Sequence, residues 1–329
     1  MKITNWCRNL AAALMAGGFI APAATRASDV NRNLVVNGTF EHVDLSTTGN
    51  YNGPRILDWT GPNLFAYSHN NSSSSTGVVP DYAQGSDPPG AGNWYFSSNN
   101  TDNSVSQDVR APGVFYQDIN VASGDAGTVI AAGSGRFQLR AYMSSYQDDG
   151  DFGNIHVDFR NTQGASLGFI VLSDSDAGPN NVWSSNSTVG VIPVGTETLR
   201  ISLYGTPFQG GADGFIDNVW LSVSGLPGDY NLNGAVDAAD YTVWRDALGS
   251  MTVSKADGTG LSGLPDGVVN ELDYDFWKAH FGGTAGSGAG YLTPGVSSGA
   301  NSAGVPEPTS MVLLCIGTTV VLRYFVRME

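Results

Sequence analysis

The sequence predicts a mainly β protein: an antiparallel β-sandwich or jelly roll over residues 29–224, followed by a small α-helical module over residues 226–282. Three observations carry this. Apolar and polar residues alternate with period two in several runs of the larger segment, as strands with one dry and one wet face require. Asp outnumbers Glu 25 to 5, only 3 residues are Lys, and 43 of 329 are Gly. Helix surfaces are usually filled with Glu, Lys and Arg, whereas Asp and Gly favour turns. Near the C-terminal end a loop followed by a helix-patterned stretch occurs twice, 33 residues apart. Hydrophobic residues make up 41% of the chain, enough for a core, which excludes wholesale disorder.

The chain opens with an address. Lys2 and Arg8 precede the apolar run Leu10 to Ile20, and Ala21-Pro22-Ala23 and Thr25-Arg26-Ala27 follow. Residues 1–27 read as a secretory signal peptide cut after Ala23 or Ala27. A membrane anchor would need about 20 apolar residues, and this run is shorter.

In residues 29–224, Phe137, Leu139, Ala141 and Met143 alternate with Gln138, Arg140 and Tyr142. Ile155, Val157 and Phe159 alternate with His156, Asp158 and Arg160, and Leu199, Ile201 and Leu203 with Arg200, Ser202 and Tyr204. Turn signals such as Asn52-Gly53-Pro54, Pro88-Pro89-Gly90 and Gly133-Ser134-Gly135 separate the runs, giving about ten strands and a two-sheet sandwich. Asn33-Leu34-Val35-Val36-Asn37-Gly38-Thr39-Phe40-Glu41 opens the segment, Trp59 follows, and Gly214-Phe215-Ile216-Asp217-Asn218-Val219 begins its last strand. This framing resembles the galactose-binding-like jelly rolls, the fold of many carbohydrate-binding modules. The resemblance implies that the first and last strands are neighbours. In relatives with a structural calcium it nominates Glu41 and Asp217 as ligands; ordinary turn and strand-end carboxylates are the other reading. Glycans are commonly gripped by an aromatic face under the sugar ring. The stacking candidates are Tyr67, Trp94, Tyr95, Tyr142, Tyr146 and Trp183, and the sequence does not choose the binding face.

The helical module starts at Asp229-Tyr230-Asn231-Leu232-Asn233-Gly234-Ala235-Val236-Asp237-Ala238-Ala239-Asp240. Side-chain oxygens fall at loop positions 1, 3, 5, 9 and 12, with Gly at 6, the pattern of an EF-hand-like calcium loop with Asp in place of the final Glu. A hard cation wants oxygens on all sides, and alternate residues of a tight loop point inward. Gly234 allows the sharp turn and Ala235 offers its carbonyl. The run Val236 to Gly249 aligns with Val269 to Gly282, each half reading loop, helix and C-terminal Gly. Tyr241, Trp244 and Leu248, with Tyr274, Trp277 and Phe281, lie at helical spacing and are expected to form a shared core.

The duplicated loop–helix resembles a type I dockerin, a module that folds on calcium and docks to a cohesin domain. The resemblance implies Asp229, Asn231, Asn233, Asp237 and Asp240, with the Ala235 carbonyl, as ligands of one site. It implies Asp266, Asn270 and Asp273, with the Val268 carbonyl, for a second. Strict register puts Ser262 and Leu264 at positions 1 and 3 of the second loop, and Leu cannot ligate. Asp257 substitutes if Gly258 to Gly263 loop out. The partner is either a cohesin-like domain or the module's own chain.

Residues 283–304 form a Gly/Ser-rich linker. Val305-Pro306-Glu307-Pro308-Thr309, the apolar stretch Met311 to Leu322, and Arg323 and Arg327 follow. Residues 305–329 resemble a PEP-CTERM sorting signal, in which Pro306, Glu307 and Pro308 form the motif. The resemblance implies a short transmembrane helix, a transient inner-membrane anchor and cleavage by an exosortase-type enzyme; a plain C-terminal anchor is the other reading. Arg residues at the helix end fit the cytoplasmic side. The only cysteines, Cys7 and Cys315, lie in the two terminal segments, so disulfides are not expected to stabilise the exported protein, and core size or Ca2+ is.

A net charge of −15 excludes general nucleic-acid binding, which needs clustered Lys and Arg. The chain has four His and no His-Glu-x-x-His or phosphate-binding loop. The expectation is an exported, non-catalytic, calcium-binding protein of the cell surface or extracellular matrix, attaching or binding polysaccharide through the jelly roll and docking through the helical module. A glycoside hydrolase-like enzyme carrying a dockerin is the alternative.

Overall fold

The computed structural model describes residues 28–48, 53–70, 73–74, 77–78, 81–83, 86–99, 109–146, 150–174, 182–208, 210–252, 254–260 and 265–285. The signal-peptide segment 1–27, linker residues 286–304 and the sorting segment 305–329, with Pro306, Glu307 and Pro308, lie outside the described residues. Among the described residues no helix is long and apolar enough to cross a membrane.

The strands are β1 (Val43–Thr48), β2 (Pro54–Ile56), β3 (Tyr67–Ser68), β4 (Ser73–Ser74), β5 (Gly77–Val78), β6 (Trp94–Ser97), β7 (Tyr116–Asn120), β8 (Arg136–Ser145), β9 (Phe152–Arg160), β10 (Ser166–Ser173), β11 (Ser184–Val191), β12 (Thr198–Thr206) and β13 (Gly214–Ser224). Two sheets form the sandwich: a five-stranded one ordered β11-β8-β13-β6-β3, and a four-stranded one ordered β10-β9-β12-β7. Every pair is antiparallel, so the fold is mainly β as the alternation predicts. Consecutive long strands β8 and β9, and again β12 and β13, lie in opposite sheets. Phe137, Leu139, Ala141 and Met143 of β8 face Ile155, Val157 and Phe159 of β9 and Leu199, Ile201 and Leu203 of β12 in one buried core. Each such large side chain taken from water contributes about 1.5–3 kcal/mol.

The opening segment runs along the closing strand. Asn31 N–H donates to Val223 O at 2.8 Å, Leu34 N–H to Leu221 O at 2.8 Å, and Val219 N–H to Gly38 O at 2.8 Å. Asn33 ties the two, its side-chain oxygen accepting from Leu221 N–H and Val35 N–H. Trp59 stacks on Phe115 at 5.3 Å and touches Phe40 at 6.0 Å.

Three helices join the strands: α1 (Gly124–Ala131), α2 (Ala238–Ala247) and α3 (Glu271–His280). The sequence reading missed α1, whose two glycines are poor helix formers. It is held from a distance: the Asp29 carboxylate accepts from Asp125 N–H at 2.8 Å and Ala126 N–H at 3.0 Å, and Ala126, Val129 and Ile130 are buried. By contrast α2 and α3 carry local signals, each opening with a capping box, Asp237/Asp240 and Asn270/Asp273.

The helix pair is organised as a two-fold exchange. Trp244 donates its indole N–H to the Asn270 carbonyl at 2.8 Å, and Trp277 donates to the Asp237 carbonyl at 3.0 Å. Val269 bonds the turn after α2 through Gly249 and Ser250, and Val236 bonds the turn after α3 through Gly282 and Gly283. The expected aromatic core is only partly buried. Trp244 is enclosed with Tyr230, Ala256 and Val269, but Tyr241 and Leu248 are exposed, because two short helices cannot enclose six large side chains. Residues 283–285 pair with the loop before α2, Ala285 N–H donating to Gly234 O at 2.7 Å, so the helical module extends three residues into the expected linker.

The module is seated on its own sandwich. Leu232 of the first loop joins the main sandwich core. Asn31 donates its amide to the Asp257 carbonyl at 3.0 Å, and Lys255 pairs with Asp125 at 2.8 Å. Leu232→Ala is therefore expected to cost about 2–4 kcal/mol in urea unfolding at saturating calcium. Helix and strand signals should shift together; a loss confined to the helices would refute the shared packing.

Candidate functional site

The two loops before α2 and α3 hold four carboxylates in matching roles. Asp229 accepts from Asn233 N–H at 3.1 Å and Gly234 N–H at 2.7 Å. Asp257 accepts from Asp266 N–H at 3.1 Å and Gly267 N–H at 2.8 Å. Asp240 accepts from Asn231 N–H and Asp237 N–H, and Asp273 from Thr259 N–H and Asn270 N–H. Asn233 and Asp266 each accept from the N–H two residues on, Ala235 and Val268. Asp257 thus stands where Asp229 stands, the looped-out alternative of the sequence reading, and Thr259 stands opposite Asn231. Residues 261–264, including Ser262 and Leu264, lie outside the described residues. Gly234 and Gly267 sit at φ +88° and +84°, the left-handed turn that glycine adopts without strain.

The electrostatics of these loops are unbalanced. Asp229, Asp240, Asp257 and Asp273 are at most 2% exposed, and among the described residues none has an ion-pair partner. Burial pushes all four carboxyl groups up, Asp257 to about 6, against the pull of backbone N–H donors. Among the described residues no three His, Cys, Asp or Glu side chains converge as a metal group. Each loop instead brings two buried carboxylates together with Asn, exposed Asp237 or Asp266, and the carbonyl of Ala235 or Val268, an all-oxygen set suited to a hard cation. The Val268 carbonyl here accepts from the Asn270 amide at 3.3 Å. The donor set fits calcium.

A second feature lies on the outer face of the five-stranded sheet. Register pairs Arg140 with Trp220, and Tyr142 with Ser185. A bulge in β13 between Asp217 and Trp220 opens the strand, and Asn218, at φ 51°, donates its amide to the Pro89 carbonyl at 3.0 Å. The result is a cavity of about 340 Å³ walled by Trp220, Arg140, Tyr142, Asn218, Asn33 and Ser185. Arg140 lies over the Trp220 ring at 4.6 Å, a cation–π contact.

Of the six predicted stacking residues, only Tyr142 lines this cavity. Tyr67, Trp94 and Tyr95 are buried, because β3 and β6 turn these rings into the core, where Tyr95 accepts from Tyr82 N–H at 2.9 Å. Tyr146 packs edge-on against Tyr82, and Trp183 against Tyr95 and His69. The sequence reading missed Trp220, although its alternation with buried Val219 and Leu221 marks it as outward-facing. Glu41 and Asp217 lie close enough for the charge of Glu41 to raise the Asp217 carboxyl, and each has partners of its own. Glu41 accepts from Asn93 N–H and Trp94 N–H, both at 2.8 Å, and buried Asp217 accepts from Asn218 N–H and meets His69 Nε2 at 3.2 Å.

No family model matches the chain, and no curated protein matches it. Among solved structures it is similar to the Family 16 Carbohydrate Binding Module-2, at 18% identity and TM-score 0.31, over 57% of this chain and 99% of that one. It is similar to an apo cyclase from Fischerella sp., at 14% identity and TM-score 0.38, over 60% and 98%. It is also similar to the enzymatically active domain of bacteriophage CBA120 tailspike protein 4, at 15% identity and TM-score 0.31, over 58% of this chain but only 21% of the tailspike.

The buried His69–Asp217 contact, with Asp87 on the other ring nitrogen at 3.1 Å, makes stability pH-dependent. Burial opposes charge on His69, but the bond and charge of Asp217, and then Asp87, outweigh it and raise its pKa. Burial lifts Asp217 to about 7, only partly offset by His69. Both groups hold protons more tightly folded than unfolded, so their stabilisation is full at acid pH and is lost as pH rises. At saturating calcium, unfolding free energy should fall between pH 5 and 8 with a slope of up to about 1.4 kcal/mol per pH unit. Asp217→Asn should flatten that slope; an unchanged slope would refute the assignment.

Proposed function

We propose that this chain is an exported, non-catalytic calcium-binding protein whose β-sandwich attaches to glycan and whose helix pair is a dockerin-like module. The observation that carries the reading is the duplicated loop: two matched sets of oxygen groups around four buried carboxylates that have no ion-pair partner among the described residues. Asp229, Asn231, Asn233, Asp237 and Asp240, with the Ala235 carbonyl, hold one calcium. Asp257, Asp266, Asn270 and Asp273, with the Val268 carbonyl, hold the other. Calcium offsets the buried charge and so stabilises the fold.

The outer-face cavity supports glycan attachment. Trp220 and Tyr142 offer aromatic faces to sugar C–H groups, while Arg140, Asn218, Asn33 and Ser185 offer hydrogen bonds to hydroxyls. Its described lining contains no carboxylate, whereas glycoside hydrolysis generally uses a pair of them. The signal-peptide and sorting segments support export through a membrane-anchored stage to the cell surface or matrix. The module's seat on its own sandwich favours intramolecular docking over a cohesin-like partner.

Equilibrium dialysis of the secreted protein should find two calcium ions per chain, falling to one in Asp229→Ala and one in Asp257→Ala. Calcium at 100 times its dissociation constant should add about 2.7 kcal/mol per site to unfolding free energy. No bound calcium would refute the reading. Trp220→Ala should lower retention on insoluble polysaccharide about tenfold at unchanged Tm. Equal retention would remove the cavity from the glycan-binding role.

A further inference from the structure

The outer face of the five-stranded sheet does not end at the Trp220 cavity. Register pairs Gln138 with Ser222 and Arg136 with Ser224, two and four residues along β8 from Arg140. The same face therefore carries Arg136, Gln138, Arg140 and Tyr142 in a line, about 20 Å long at the strand rise. Its far end runs under the helix module, where a second cavity of about 270 Å³ opens between the two units. Arg136, Gln138 and Ser222 line the sheet side; Tyr230, Lys255 and Phe276 line the module side.

In a chain with a net charge of −15 and 15 basic residues, Arg136, Arg140 and Lys255 gather along one track. Lys255 is held in place by Asp125 at 2.8 Å, and Arg140 by the face of Trp220. The cavity under the module is lined by two cations, three aromatic side chains, the Asp229 carboxylate and neutral hydrogen-bonding groups, within a volume suited to one or two sugar rings. Its module wall is made by Gly228, Asp229, Tyr230 and Leu232 of the first loop and Gly258 of the second. Both loops carry the buried carboxylates described above.

We propose that the cavity between the sandwich and the helix module binds the terminal, carboxylate-bearing sugar of a glycan whose following residues lie along the sheet toward Trp220. The inference rests on the glycan-binding reading and adds to it the class of sugar and the recognition of a chain end. The module closes the track, so a chain enters only by its tip. The cations select an acidic tip over a neutral one. Because the closing wall consists of calcium loops, the site is complete only when they are loaded.

The test is isothermal titration of the full secreted chain with methyl β-D-glucuronide and, in parallel, methyl β-D-glucoside, at saturating calcium and after calcium removal. The glucuronide should bind at least tenfold more tightly than the glucoside, and lose that binding when calcium is removed. Arg136→Gln should reduce glucuronide affinity at least tenfold while keeping two calcium ions per chain and full retention on neutral polysaccharide. Should Arg136→Gln lose calcium through misfolding, Lys255→Gln, at the module wall, replaces it with the same expected loss. Equal affinity for acid and neutral sugar, undiminished binding in both variants, or binding unaffected by calcium removal would each overturn the inference. Loss of neutral-polysaccharide retention by the unmodified protein would instead overturn the underlying glycan reading.

Discussion

Four buried carboxylates with no ion-pair partner among the described residues govern the helical module. Asp229, Asp240, Asp257 and Asp273 are as buried as the valines beside them, and an isolated buried charge is among the costliest groups a fold can hold. Backbone N–H groups satisfy part of each oxygen's bonding capacity but none of the charge. Among the described residues the loops are consequently a framework short of positive charge, and their remaining polar groups are oxygens, the donor chemistry a hard divalent ion prefers. The helices are tied to the same deficit, because Asp240 and Asp273 are at once buried carboxylates and capping-box residues of α2 and α3.

The two-fold exchange spreads that dependence across the module. Val236 and Val269, each in one loop, pair with the turn that ends the other half's helix, and each helix sends its Trp to the other loop's carbonyl. Neither loop–helix unit is complete alone, so disturbing one loop loosens backbone contacts of the other. Leu232 carries the coupling outward. It occupies the position between two ligand residues of the first loop yet its side chain lies in the sandwich core. The positive φ it adopts, 62°, is a strained setting for a branched-chain residue. That strain is sustained by the apolar burial on the sandwich side and the bonded turn on the other.

What was legible in the sequence follows how local the cause is. The alternation in β8, β9 and β12 is written in consecutive residues, and so are the capping boxes and the Asp229–Asp240 spacing. The neighbourhood of the first and last strands was legible through the Asn33 and Asp217 framing. Helix α1 was not, because its cap, Asp29, lies 96 residues from Asp125 and its burial depends on the packed sandwich. The second loop was only half legible: the residues after Gly267 match the first half, but an insertion moves the leading carboxylate back to Asp257, and only the backbone bonds from Asp266 and Gly267 identify it. Aromatic residues misled most. Tyr67, Trp94 and Tyr95 fill the core, whereas Trp220, one residue from buried Val219, faces out, and ring chemistry alone carries no information about which face a strand presents.

The sheet face gives the sandwich and the helix pair a shared feature. A flat outer sheet surface offers a ligand contacts on one side only, and a sugar held that way keeps most of its surface in water. Where the module meets the sheet, the surface becomes a cleft with walls from both units, which buries more of a ligand and fixes its direction. The seat that achieves this is small and polar at its rim, with Lys255 on Asp125 and Asn31 on the Asp257 carbonyl, and apolar only at Leu232. A seat of that kind holds while the loop presenting Leu232 keeps its shape. The shape of that loop is set by the backbone N–H groups that Asp229 and Asp240 hold, so the geometry of the cleft follows from those two carboxylates.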